Sequence, residues 1–208
     1  MPVRPPSSPW PILRRLLLLP ALALAGCVAP TGPVEVTRFH LPDTTMLARG
    51  SIAVVAAPGS DPASLELRAF SAAVARELQR AGYREVAAGD AAQQAEVRVE
   101  RRTVQPERQR GPVSVGVGGS TGSYGSGVGL GIGIDLSGRP PAMTETRLGV
   151  VIREKASGRV VWEGRAGFTV RADSPLAGTE LGAAQLAAAL FREFPGQSGA
   201  TVLVKLAP

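Results

Sequence analysis

Three side chains in this sequence have the chemistry to react with a substrate: the only cysteine, Cys27, the only histidine, His40, and Ser120. Ser120 stands in Gly118-Gly119-Ser120-Thr121-Gly122, the G-x-S-x-G spacing that presents a serine nucleophile on a sharp turn between a strand and a helix. The residues after it cannot supply that helix, because Gly122 to Gly133 is dense in glycine and each glycine costs ~1 kcal/mol in a helix relative to alanine. The histidine also precedes the serine, whereas that arrangement places it last in the chain. His40 has no second histidine and no nearby carboxylate cluster to share a metal with. Neither G-x-x-x-x-G-K nor G-x-G-x-x-G is present to cradle a phosphate. The expectation is therefore a non-enzyme with no catalytic residues, no metal and no cofactor. Trp162 is expected in the core rather than on a binding platform.

Cys27 reads differently because of what precedes it. Arg4, Arg14 and Arg15 form a positive start, and Leu16 to Ala25 follows without a charge, too short for the ~20 residues of a spanning helix and suited to the core of a signal peptide. The run closes in Leu24-Ala25-Gly26-Cys27. This segment resembles the lipobox of bacterial lipoproteins. The resemblance implies that residues 1–26 are a signal peptide cleaved between Gly26 and Cys27, and that Cys27 is lipidated. Each buried methylene is worth ~0.8 kcal/mol, so two or three acyl chains make a stable anchor where one does not. Partner lipid is thus expected through acylated Cys27. Val28 is not the aspartate that retains such proteins at the inner membrane of enteric bacteria, which favours the outer membrane facing the periplasm.

Cleavage changes the charge. The whole chain carries 23 Lys and Arg against 17 Asp and Glu, net +6, and loss of three arginines leaves 20 against 17, net +3. Only Lys155 and Lys205 are lysines. With no nucleic-acid motif, a nucleic-acid partner is not expected. A single cysteine also excludes an intramolecular disulfide.

Residues 27–33 read as a Pro/Gly tether, and residues 34–208 as a single α+β domain. Val34 to Leu41 has strand character, and Ser51 to Ala56 is a continuous apolar run of the kind buried on both faces. Asp61 as cap, Pro62 at the first helical position, and the stripe Leu67, Phe70, Val74, Leu78 and Ala81 predict a helix ending at Gly82. Tyr83 to Ala87 and Ala95 to Val104 read as strands, and Arg147 to Arg153 and Arg159 to Arg171 as a hairpin around Ala156-Ser157-Gly158. A second helix spans about Thr179 to Phe194, and Thr201 to Lys205 is a last strand. This succession predicts a two-layer α+β sandwich, a largely antiparallel sheet with two helices on one face.

Between the layers' elements lies the Gly-rich stretch 111–138, read as a hairpin or loop extending the domain. Val113, Val115 and Val117, then Val128, Leu130, Ile132, Ile134 and Leu136, alternate with residues that are mostly glycine or serine, so both arms have period two. The bare face admits close approach by another backbone, and the arm Val128 to Leu136 matches the ~9–11 residues of a membrane β-strand. The stretch is expected to extend the sheet and pack its aliphatic face on the domain, with a contact surface for an envelope protein partner or the membrane as the alternative.

Several segments together carry a wider resemblance: the lipobox, Val36-Thr37-Arg38-Phe39-His40-Leu41, Gly50-Ser51-Ile52-Ala53-Val54, the Gly-rich centre, Val160-Val161-Trp162-Glu163-Gly164, and Ala189-Leu190-Phe191-Arg192-Glu193-Phe194-Pro195-Gly196. They resemble the bacterial lipoproteins grouped as domain of unknown function 4136. The resemblance implies an envelope lipoprotein of uncharacterised role, and the anchor, the single small domain and the missing catalytic residues make a non-catalytic interaction or structural module the expectation. The alternative is an auxiliary lipoprotein of an ABC-type lipid transport system, a similarity resting on the strand that ends in Leu41-Pro42 soon after the lipobox.

Overall fold

The computed structural model describes residues 32–105, 113–122, 125–134 and 140–206, with 113–122 and 125–134 described by their backbone. Cys27, Gly26 and the segment before them lie outside the described residues, as do 106–112, 123–124 and 135–139.

The fold is α+β. In chain order the elements are β1 Val34–His40, β2 Ser51–Ala56, α1 Leu65–Ala81, β3 Arg84–Glu85, β4 Gln93–Val104, β5 Val113–Gly122, β6 Gly125–Ile134, β7 Met143–Glu154, β8 Val160–Arg171, a 3-10 turn Pro175–Ala177, α2 Thr179–Phe191 and β9 Thr201–Val204. Seven strands form one sheet in the order β3-β2-β4-β7-β8-β1-β9, and β5 pairs with β6 in a separate two-stranded sheet.

The large sheet is mixed, with antiparallel pairings in the majority as expected. The pairs β4–β7, β7–β8, β8–β1 and β1–β9 are antiparallel, but β2 is parallel to both β3 and β4. The cause is the connection: α1 carries the chain from the end of β2 back to the start of the sheet, and a helical crossover of this kind joins parallel strands.

Alternation decides the core. In β7, Thr144, Thr146, Leu148, Val150 and Ile152 are buried in turn. β8 buries Trp162, Ala166, Phe168 and Val170, and β1 buries Val34, Val36 and Arg38. These apolar side chains form one cluster with Phe70, Val74 and Leu78 of α1 and Leu186 and Leu190 of α2. The helices pack against each other, α1 also against β2, β3 and β4, and α2 against β8, β1 and β7.

Helix α1 begins three residues later than its sequence suggests. Ser64, not Asp61, is the cap, accepting from the Leu67 amide at 3.3 Å, while the Asp61 carboxylate accepts from the Ala63 amide at 2.9 Å in the turn before. Both residue types stabilise free amides at a helix start. Gly82 ends the helix with φ of 114°, and a β-carbon there would lie 2.8 Å from the Ala48 carbonyl oxygen, so glycine is required by conformation and by space. Helix α2 stops at Phe191 rather than Phe194, because Arg192 leaves helical geometry and Glu193 takes φ of 56°.

Candidate functional site

Of the three reactive side chains, Cys27 lies outside the described residues. Ser120 falls inside β5, opposite Gly127 of β6. Gly118 to Gly122 is therefore continuous strand, with β6 rather than a helix following, and the turn that would expose a nucleophile is not formed. His40 ends β1 half buried. Its Nδ1 lies 2.8 Å from the Leu41 carbonyl oxygen and its Nε2 3.1 Å from that of Gly196. The ring thus holds the chain after α2, as expected of a satisfied histidine. No group of three metal-binding side chains occurs among the described residues.

Trp162 is fully buried, as its place on the hairpin's inner face predicts. It stacks on Phe191 at 5.3 Å between ring centroids and leans on Phe194 at 5.2 Å, while Tyr83 meets Phe194 edge-on at 6.3 Å. The indole Nε1–H donates to the Pro195 carbonyl at 3.0 Å. Gly164 makes the stack possible, since a β-carbon there would sit 2.3 Å from Trp162 Cη2 and 2.8 Å from Leu190 Cδ1. Burial pushes the Tyr83 phenol up to about 12, and its hydroxyl donates to Gln93 Oε1 at 3.2 Å.

Beside this aromatic group sits a buried cation that sequence reading missed. Arg38 is 6% exposed. Its Nε donates to the Leu190 carbonyl at 2.8 Å and its Nη2 to that of Ala189 at 2.9 Å. These carbonyls belong to the last turn of α2, where the helix leaves acceptors unpaired and its dipole favours a positive charge. Desolvation lowers the guanidinium pKa, and Glu193 opposes that shift. Gly196, with φ of 80°, leaves room for Arg38, whose Cδ would be 2.7 Å from a β-carbon there. The signal was present in the sequence: Val34, Val36 and Arg38 share one phase of the alternation.

A second polar group lies at the other end of the helix layer. Arg101 of β4 is 3.1 Å from Glu66 Oε1 at the start of α1, without hydrogen-bond alignment, and its Nη1 donates to Thr179 Oγ1 at the start of α2 at 3.2 Å. It ties both helix starts to the sheet.

The alternate residues of the strands line a shallow concavity of about 960 Å³, walled by Glu35, Arg98, Arg147, Glu163 and Arg165 with Gly149 and Gly167 among them. Its charges pair along and across strands: Arg165 with Glu163 at 2.6 Å, Arg102 with Glu145 at 3.1 Å, and Arg147 with Glu145. Hydrogen bonds from Arg102 and Arg147 lower the Glu145 pKa. Exposed pairs of this kind contribute little stability.

Residues 44–196 match the family model described as Domain of unknown function (DUF4136). The chain belongs to this family. The match closes on Phe194-Pro195-Gly196, the segment gripped by Trp162, His40 and Arg38, and it leaves out β1 and β9, which complete the sheet around it. The family segments noted in the sequence therefore have packing roles: Trp162 and Gly164 interlock, and Phe191, Phe194 and Gly196 receive the indole and the guanidinium. No curated protein matches the chain. Among solved structures, a PDZ domain protein from Parabacteroides distasonis aligns at TM-score 0.46 and 11% identity over 83% of this chain, which spans 39% of that one. The PelC dodecamer from Paraburkholderia phytofirmans aligns at TM-score 0.40 and 16% identity, over 74% of this chain and 92% of that one.

Proposed function

We propose that this protein is a lipid-anchored component of the bacterial envelope, facing the periplasm at the outer membrane and acting as a non-catalytic interaction or structural module. Residues 1–26 serve as its signal peptide, Cys27 carries the lipid, and residues 27–33 tether a domain whose helices form one layer and whose sheet forms the other. The observation that carries this reading is Leu24-Ala25-Gly26-Cys27, set seven residues before the first strand at Val34.

The non-catalytic part is supported by where the polar groups spend their hydrogen bonds. Arg38 and His40 hold the chain around α2, Arg101 joins two helix starts, and Ser120 lies within a strand. Contact with an envelope partner falls to the Gly-rich stretch, residues 111–138. No helix among the described residues is long and apolar enough to cross a membrane.

The test is Cys27→Ser. Serine has no thiol for the lipid transfer, so metabolically labelled fatty acid should disappear from the protein, and the uncleaved precursor should stay with the inner membrane. Undiminished label in the Cys27→Ser protein would overturn the reading.

A further inference from the structure

We propose that the ribbon of β5 and β6 spans the membrane and pairs with the same ribbon of further copies of this chain, closing a small β-barrel. This deepens the lipid-anchored reading and rests on it.

The register is the first support. Val113 pairs with Ile134, Val115 with Ile132, Val117 with Leu130, and Gly119 with Val128. In the other phase, Ser114, Gly116, Gly118 and Ser120 pair with Gly133, Gly131, Gly129 and Gly127. Paired residues share a face and successive residues alternate faces. The backbone therefore sorts the ribbon into one face that is aliphatic over four successive rows and one made only of glycine and serine. No charged residue occurs between Val113 and Ile134.

Length and edges supply the second. Each strand has 10 residues, within the ~9–11 that a tilted strand needs to cross the hydrocarbon core, and alternation of apolar with small or polar residues is the pattern of a membrane barrel. The ribbon forms a sheet by itself, so among the described residues both its outer edges lack a partner strand. Two strands alone are marginal in water, and lipid tolerates no open edge. Pairing β6 of one copy with β5 of the next is a head-to-tail contact that closes into a ring. That arrangement satisfies the edges and gives the aliphatic face to lipid, while the glycine face lets a narrow interior form.

Topology supplies the third. Glu35 of β1 lies in one row with Gly167, Arg147 and Glu100. The last pair of the β4–β7 ladder, Val104 with Met143, is four residues further along those strands. The chain thus enters the sheet from Cys27 at the end from which it leaves toward the ribbon and returns. Residues 27–33 reach at most about 25 Å when extended, so lipid on Cys27 brings this end of the sheet to the membrane.

The experiment uses the full chain purified from membranes and reconstituted into phosphatidylethanolamine and phosphatidylglycerol vesicles. An environment-sensitive fluorophore is placed on a single added cysteine at Val115, Leu130, Ser114 or Gly131 in turn. A lipid-phase quencher should reach the first two positions and spare the last two, in a sample that is oligomeric when extracted in nanodiscs. Leu130→Arg should lower the inserted oligomer at least tenfold and Ser114→Ala less than twofold, with the unfolding temperature of the domain unchanged in both. Equal quenching on the two faces would overturn the proposal. So would shielding of Val115 and Leu130 before vesicles are added, in a monomer whose ribbon packs on its own domain or in a water-soluble assembly. The mass of Cys27 in the same sample separates the two readings: alternating quenching with an unlipidated Cys27 would overturn the anchor and keep the barrel.

Discussion

Gly164→Ala adds one methyl group to the best-defined part of the core, and its effect can be worked from distances. The new carbon would lie 2.3 Å from Trp162 Cη2, 2.8 Å from Trp162 Cζ2 and 2.8 Å from Leu190 Cδ1, where carbon atoms in contact prefer ~3.5–4.0 Å. Relief requires a shift of more than about 1 Å, and the indole has little freedom to give it. Phe191 and Phe194 pack on the ring, and its N–H is held by Pro195. Overpacking of a tight core costs typically ~1–3 kcal/mol, and the constraints on both sides place this substitution near ~3 kcal/mol. For a domain of this size each kcal/mol moves the melting temperature by ~2–4 °C, so a fall of roughly 6–12 °C is expected in thermal unfolding followed by near-ultraviolet circular dichroism. Trp162→Phe removes the two indole atoms that clash. Combined with Gly164→Ala, it should cost less than the sum of the single changes by ~1 kcal/mol or more, within the range of coupling for residues in contact. A Gly164→Ala protein that melts within 2 °C of the parent, or strictly additive changes, would refute the interlock.

Arg38→Lys keeps the charge but loses the planar fork that reaches two carbonyls of α2, and should cost ~1.5–3 kcal/mol, the worth of a hydrogen bond to a charged group, in urea unfolding. Tyr83 should ionise late: with its folded pKa raised to about 12 from 10.0, the folded state holds the phenolic proton more tightly. Its contribution to stability is therefore complete below pH 10 and lost as pH rises toward 12. Absorbance titration at alkaline pH should show one delayed tyrosinate, missing in Tyr83→Phe.

The legible parts of the fold were those set by local pattern. The stripe from Leu67 to Leu78 and the alternation from Val160 to Val170 each fix which face is buried, so α1, β8 and the burial of Trp162 followed from residue spacing. The start of α1 was legible only to within a turn, because Asp61 and Ser64 are both good caps and just one can serve. The apolar run Ser51–Ala56 is the kind a parallel strand shows, but that β2 pairs with β4 was not legible, because a partner far apart in sequence is not named by either strand's own residues. Arg38 shares the buried phase of β1 with Val34 and Val36, but its charge argues for the surface, and only the unpaired carbonyls at the end of α2, brought near by folding, make burial favourable.

The anchor is tested most directly by the intact mass of the protein extracted from native membranes, together with its first residue. A chain that begins at Cys27, lacks residues 1–26 and carries the added mass of a diacylglyceryl group and an amide-linked acyl chain is expected. A chain of unmodified mass that retains residues 1–26, or is cut elsewhere with a free Cys27 thiol, would contradict it.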